Sequence, residues 1–160
     1  MAEMDELVAR LIRQMNAPAA SAGEGEATVA DYPILEKHPE WVRTPTGKPV
    51  DAVSMDAVRD GSLTGEDLRI SRDMLLKQAQ VAKSAGKVQV YENLCRAAEL
   101  TGVPDDLVIK MYDSLRPNRS TKAQLTEMAE TLRSVYHADR CAQLVTEAME
   151  IYEKRGILLK

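Results

Sequence analysis

The chain has 160 residues and a mass of 17.7 kDa, with 44% hydrophobic residues, 29% charged residues and a formal net charge of -4. This length excludes a complete (β/α)8 barrel, which needs about 250 residues, yet suffices for a core that depends on neither disulfide nor metal. Phe is absent and Trp occurs once, against eight Met and an abundance of Ala and Leu, a composition that favours packed helices over strands rich in aromatic and β-branched residues.

The charge is placed unevenly. Residues 1–30 carry Glu3, Asp5, Glu6, Glu24 and Glu26 against Arg10 and Arg13, a net of -3 that leaves -1 for the rest. A nearly neutral body has no long-range field for polyanions, so nucleic acid is not an expected partner. The longest stretch without a charged residue, 14–23, is far shorter than the roughly 20 apolar residues of a membrane span. Acids preceding the first arginines do not fit a secretory signal, and a cytoplasmic location is expected. Cys95 and Cys141 are then expected to be reduced and buried.

In chain order, Leu7, Val8, Leu11, Ile12 and Met15 recur at helical spacing opposite Glu6, Arg10, Arg13 and Gln14, which predicts an amphipathic helix within residues 1–16. Residues 17–30, APAASAGEGEATVA, offer little to bury and read as a flexible Ala/Gly linker. A helix of about 12 residues is marginal alone in water, so one on a tether implies a partner for its apolar face. Residues 31–53 contain Pro33, Pro39, Pro45 and Pro49 and read as an extended, irregular arm. Trp41 stands in its middle, and two readings stay open: a fold back onto its own body, or an anchor on another subunit.

Residues 54–160 read as a compact helical body. Short pieces are expected at Met55 to Asp60, with Ser54 as N-cap, and at Gly65 to Ile70. Ser71 opens a helix ended by Gly86, and a second runs from Lys87 to Thr101 before Gly102. Pro104 opens the next, with Asp105 and Asp106 favourable to its dipole and Leu107, Val108, Met111 and Leu115 as its apolar stripe. Ser120 is read as the cap of a helix with Leu125, Met128, Ala129, Leu132 and Tyr136 inward. The last helix carries Cys141, Leu144, Val145, Ala148, Ile151 and Tyr152 before Gly156. The fold class expected is all-α, with about five main helices after the irregular arm and the tethered helix.

Catalytic motifs are missing. His137 and Cys141 are four apart, half of a metal site at most, and no Cys-x-x-Cys exists. Glu127 with Glu130, and Glu147 with Glu150, lack the histidines of a di-iron bundle and read as solvated faces. Gly23-x-Gly25 lacks a third glycine, and Thr46-Gly47-Lys48 is followed by Pro49, so neither cradles phosphate. The stretch RAAELTGVPDDLVIKMYDSL has helix-turn-helix spacing, which keeps a DNA-binding or helical adaptor protein as the alternative of another class. Its second helix, however, would point Asp105 and Asp106 at phosphates.

The runs DYPILEKHPEWVRTPTGKP, DLRISRDML with QAQVAKSAG, RAAELTGVPDD and LRPNRSTKAQL, in order across about residues 31–155, resemble the small subunit of adenosylcobalamin-dependent diol dehydratases. Glycerol dehydratase small subunits are close relatives and the nearest alternative. The preceding helix and linker resemble extensions that direct such enzymes into bacterial microcompartments. The resemblance implies a heterohexamer, a dimer of αβγ trimers with large and medium subunits. Adenosylcobalamin lies between those partners, and a metal ion sits at the substrate site of the large subunit. No catalytic, cofactor-binding or metal residue carries over to this chain. It further implies contact with a shell through residues 1–16 (Leu7, Val8, Leu11, Ile12, Met15) and a subunit interface that includes Trp41, Arg116 and Arg119.

Overall fold

A computed structural model of the chain describes residues 25–160. The amphipathic segment with Leu7, Val8, Leu11, Ile12 and Met15 lies outside the described residues. What is described is helical: α1 (Ile34–Lys37), α2 (Met55–Arg59), α3 (Arg72–Ser84), α4 (Val88–Leu100), α5 (Asp105–Ser114), α6 (Lys122–Ser134) and α7 (Asp139–Arg155). Among these residues the extended pairing is limited to one isolated antiparallel bridge, Arg43 with Pro49. The described chain divides into two compact units, residues 25–101 and 102–160.

In the first unit, α3 and α4 form a hairpin whose contact is made by small residues. Ala79 and Ala82 of α3 and Cys95 and Ala98 of α4 are the buried positions of these helices, and short side chains let the two backbones approach closely. The corner is a complete Schellman motif. Lys87 N–H donates to the Ala82 carbonyl at 2.9 Å and Gly86 N–H to Lys83 at 3.0 Å. Gly86 holds φ +72°, a value that only glycine adopts without a Cβ penalty. The Ser71 hydroxyl accepts from Met74 N–H, and the Ser54 hydroxyl from Ala57 N–H, as their sequence positions suggest.

In the second unit, α6 and α7 pair through Leu125, Met128, Ala129 and Leu132 on one side and Cys141, Ala142 and Val145 on the other. The turn between them places His137 at φ +53° and lets Ala138 N–H reach the Leu132 carbonyl at 2.9 Å. Beyond Gly156, the last residues run back along the α5–α6 loop. Asn118 N–H donates to the Ile157 carbonyl at 2.8 Å and Leu159 N–H to Ser120 at 2.9 Å. The Tyr152 hydroxyl donates to the Leu115 carbonyl.

Several details differ from the sequence reading. Residues 65–70 make turns, not a helix, with the Asp67 carboxylate drawn to Thr44, Thr46 and Lys48 of the arm. Thr121 caps α6 by a reciprocal box with Gln124, while Ser120 is buried and its carbonyl serves Leu159. Tyr136 lies beyond the end of α6, and Ile151 of α7 is exposed. His137 precedes α7, so the i, i+4 relation with Cys141 does not fall on one helix. The end of the segment read as linker is folded: Ala27 is only 2% exposed, and its N–H donates to Gln80 Oε1 at 3.0 Å.

Candidate functional site

The arm of residues 31–53 is built of α1, short 3-10 turns and the bridge of Arg43 with Pro49. It begins at Thr28, whose hydroxyl accepts from Ala30 N–H while Asp31 reaches back to Thr28 N–H at 2.7 Å. That bond, the Thr28 hydroxyl and then His38 hold the Asp31 carboxyl below the usual carboxylate range. His38 stands between two carboxylates, with Nε2 3.0 Å from Asp31 Oδ1 and Nδ1 3.1 Å from Glu40 Oε1. Its imidazole stacks on Trp41, centroids 3.8 Å apart and planes 6° from parallel. A ring that close fills one face of the indole and leaves the other for Lys77 of α3, whose Nζ lies 4.1 Å from the ring centroid. Trp41 therefore folds back onto its own unit, half-buried between arm and helix.

Asp67 forms the second fixing point. Its side chain is 1% exposed and collects the hydroxyls of Thr44, Thr46 and Thr64, the Thr64 N–H at 2.8 Å and the Lys48 ammonium at 2.9 Å. The Thr46 hydroxyl, the Thr64 N–H and Lys48 together hold its carboxyl far below the ordinary value. This carboxylate bolts the turn closed by Arg43 and Pro49 onto the loop before α3. The sequence reading passed over Asp67, although Thr64-x-x-Asp67 carries the spacing of a capping pair.

Between arm and hairpin lies an apolar groove of about 720 Å³. Val29, Tyr32 and Leu35 form its arm side, Val81, Ala85 and Val90 its helical side, and Lys87 stands on its margin. Val29, Tyr32, Leu35 and Val90 are all exposed. Four large apolar side chains gathered on one concavity are more than the scattered exposure normal for a soluble surface.

In the second unit, Arg116 and Arg119 lie on the loop between α5 and α6, both exposed. Arg116 reaches Asp113 at 3.3 Å, an exposed pair worth little to stability. Nearby on α5, Ile109 is 69% exposed and Tyr112, three residues on, is also exposed. The sequence reading missed this pair because both fall off the Leu107, Val108, Met111 and Leu115 stripe; an isoleucine on an otherwise polar helix face was the available signal. Asp105 and Asp106 are exposed in the first turn of α5, which opposes a role there in binding nucleic acid phosphates.

No group of three His, Cys, Asp or Glu residues among the described residues is placed to hold a metal ion. No described helix is long and apolar enough to cross a membrane. Glu127, Glu130, Glu147 and Glu150 are all exposed. Cys95 and Cys141 are buried thiols outside any disulfide.

The family model for the dehydratase small subunit matches residues 27–159, starting at the residue where the described chain first becomes buried. The propanediol dehydratase small subunit of Salmonella typhimurium is 45% identical over 139 residues, covering 87% of this chain and 80% of its own. That of Citrobacter freundii is 44% identical over 137 residues, with 86% and 80% covered. The arm, the groove and the two helical pairs described above all fall inside the matched region, and the chain belongs to the dehydratase small-subunit family.

Proposed function

We propose that this chain is the small, non-catalytic subunit of an adenosylcobalamin-dependent propanediol dehydratase. In this reading it completes an assembly with large and medium subunits and carries an N-terminal address for a bacterial microcompartment. The observation that carries the reading is the family match across residues 27–159 together with 45% identity to a propanediol dehydratase small subunit. Surface chemistry supports it. Ile109 and Tyr112 on α5, and Met55, Leu68 and Ile70 around α2, are apolar and exposed, as surfaces awaiting partners are. Arg72 Nε is buried without an acceptor among the described residues, a donor that a partner's carbonyl or carboxylate would satisfy.

The cofactor is assigned to the partner subunits, as is the metal ion at the substrate site. When bound there, adenosylcobalamin supplies the radical that turns a 1,2-diol into an aldehyde. This chain's share is structural: a rigid arm and two helical pairs that present apolar and arginine-bearing surfaces, Trp41, Arg116 and Arg119 among the interface candidates. Residues 1–16 are the proposed contact with the shell, which would place the enzyme inside a microcompartment in the cytoplasm.

Co-expression with and without the large and medium subunits tests the assignment. Co-purification of all three and diol-dependent turnover that needs this chain are expected. Elution of this chain alone, with full activity in the other two, would overturn it. Removal of residues 1–24 is expected to leave turnover unchanged and to release the enzyme from shells; shell association that survives the deletion removes the address.

A further inference from the structure

The groove between arm and hairpin lies wholly within the unit of residues 25–101. We infer, on the small-subunit reading given above, that it seats an amphipathic helix of a larger dehydratase subunit, one that carries a carboxylate at the end resting on Lys87. Exposure sets the class of occupant. A pocket for a small molecule buries about 70 to 90% of its ligand, whereas the walls here stay open: Val29 is 50%, Tyr32 64%, Leu35 54% and Val90 45% exposed. A concavity of about 720 Å³ with such walls suits the side of a macromolecule.

The walls also decide the form of the occupant. Among the described residues extended pairing is confined to Arg43 with Pro49, so none of them offers the groove a sheet edge on which an extended peptide could pair. A chain that enters apolar surroundings must then satisfy its own backbone N–H and C=O groups, as a helix does. Tyr32 and Leu35 of the arm face it from one side, Val81 and Val90 of the hairpin from the other, which calls for apolar anchors at i, i+3 or i+4 and i+7. Charge at the margin decides the rest. Lys87 is exposed beside the groove and is also the N-cap residue of α4, a helix with no side-chain cap and no acidic residue in its first turn. The ammonium and the positive end of the α4 dipole therefore favour the same kind of group, an anion. A second copy set groove against groove brings another Lys87 to this margin and does not supply one.

The test uses the co-expressed three-subunit complex with p-benzoylphenylalanine in place of Leu35. After irradiation and digestion, the expected crosslink joins that position to one peptide of a larger subunit, with apolar residues at i, i+3 or i+4 and i+7 and an Asp or Glu at one end. Lys87→Glu should lower the yield about tenfold, because like charges then meet. An acid at a helix N-terminus favours the dipole, so α4 itself is not weakened, and circular dichroism checks this. Replacing the peptide's carboxylate by Lys in the Lys87→Glu complex should restore the yield. A crosslink to a second copy of this chain, a peptide without that pattern, no protein crosslink, or a yield unchanged by Lys87→Glu each overturns the inference and leaves the subunit reading standing if the three chains still co-purify. Chains that do not co-purify overturn both.

Discussion

The imidazole of His38 lies flat on the indole of Trp41, 3.8 Å from centroid to centroid, while Lys77 of α3 approaches the same indole at 4.1 Å. The arm and the α3–α4 hairpin are thus joined through one aromatic ring. His38 is itself braced by Asp31 and Glu40, so the ring is held from within the arm as well as from the helix.

Trp41→Ala removes both contacts. An aromatic pair contributes about 0.5 to 1.5 kcal/mol beyond area burial and a cation–π contact about 0.5 to 1, so a loss of about 1 to 2 kcal/mol is expected in urea denaturation followed by circular dichroism. Lys77→Ala should lose about half of that. Because Trp41 is the only tryptophan, Lys77→Ala should also change the intrinsic fluorescence of the native state; unchanged emission and unchanged stability together would show that the contact is idle.

Asp67 gives a pH dependence with a definite sign. Its folded carboxyl is held far below the unfolded value of about 3.9. The stabilisation is therefore fully present above the unfolded value and is lost as pH falls through the folded one. Between pH 5 and 8 the bolt should be insensitive to pH, and Thr64 N–H, which donates to Asp67, should stay protected from hydrogen exchange. Asp67→Ala should abolish that protection at every pH. An NMR titration that finds the Asp67 carboxyl protonating at its ordinary value contradicts the geometry.

Two aliphatic residues of the second unit should behave oppositely. Leu132 has no exposed surface, and Leu132→Ala is expected to cost about 2 to 5 kcal/mol. Ile151 is 48% exposed, and Ile151→Ala should lie within about 1 kcal/mol of the parent. Thermal unfolding of the two variants side by side checks the contrast, which the helical periodicity of α7 alone would not give.

The boundary of the folded body is testable by truncation. The chain without residues 1–24 gives the reference melting temperature, since it keeps the hydrogen bonds of Ala27 and Val29 to α3. Removal of residues 1–30 takes away the Ala27–Gln80 and Val29–Ser84 hydrogen bonds, each worth about 0.5 to 1.5 kcal/mol, and should lower it by a few degrees. Equal melting of the two truncated chains would place the start of the body after residue 30.

Local signals in the sequence led to much of this fold. Ser54, Ser71, Gly86 and Gly156 bound helices where their chemistry suggests, because a cap is decided by neighbours three or four residues away. The capping pairs Thr121 with Gln124 and Thr28 with Asp31 were equally local, yet passed unread beside a more obvious Ser120 and an Ala/Gly-rich composition. What lay beyond local reading depends on contacts distant in sequence. Asp67 meets Thr46 across 21 residues, Ala27 meets Gln80 across 53, and Ile151 is exposed although its spacing matches the stripe. Trp41 shows the limit most plainly: nothing in its proline-rich context announces that His38 and Lys77 pack against its ring.

The bolt at Asp67 and the stack at Trp41 have a kinetic consequence. Chains that order on docking lose freedom at the encounter and associate slowly, whereas a surface already fixed presents one shape to every collision. With a body close to electroneutral, there is little steering to be screened. A partner that meets this arm should therefore bind at a rate nearly independent of ionic strength, and differences in affinity among variants of the arm should appear as differences in how long the complex lasts.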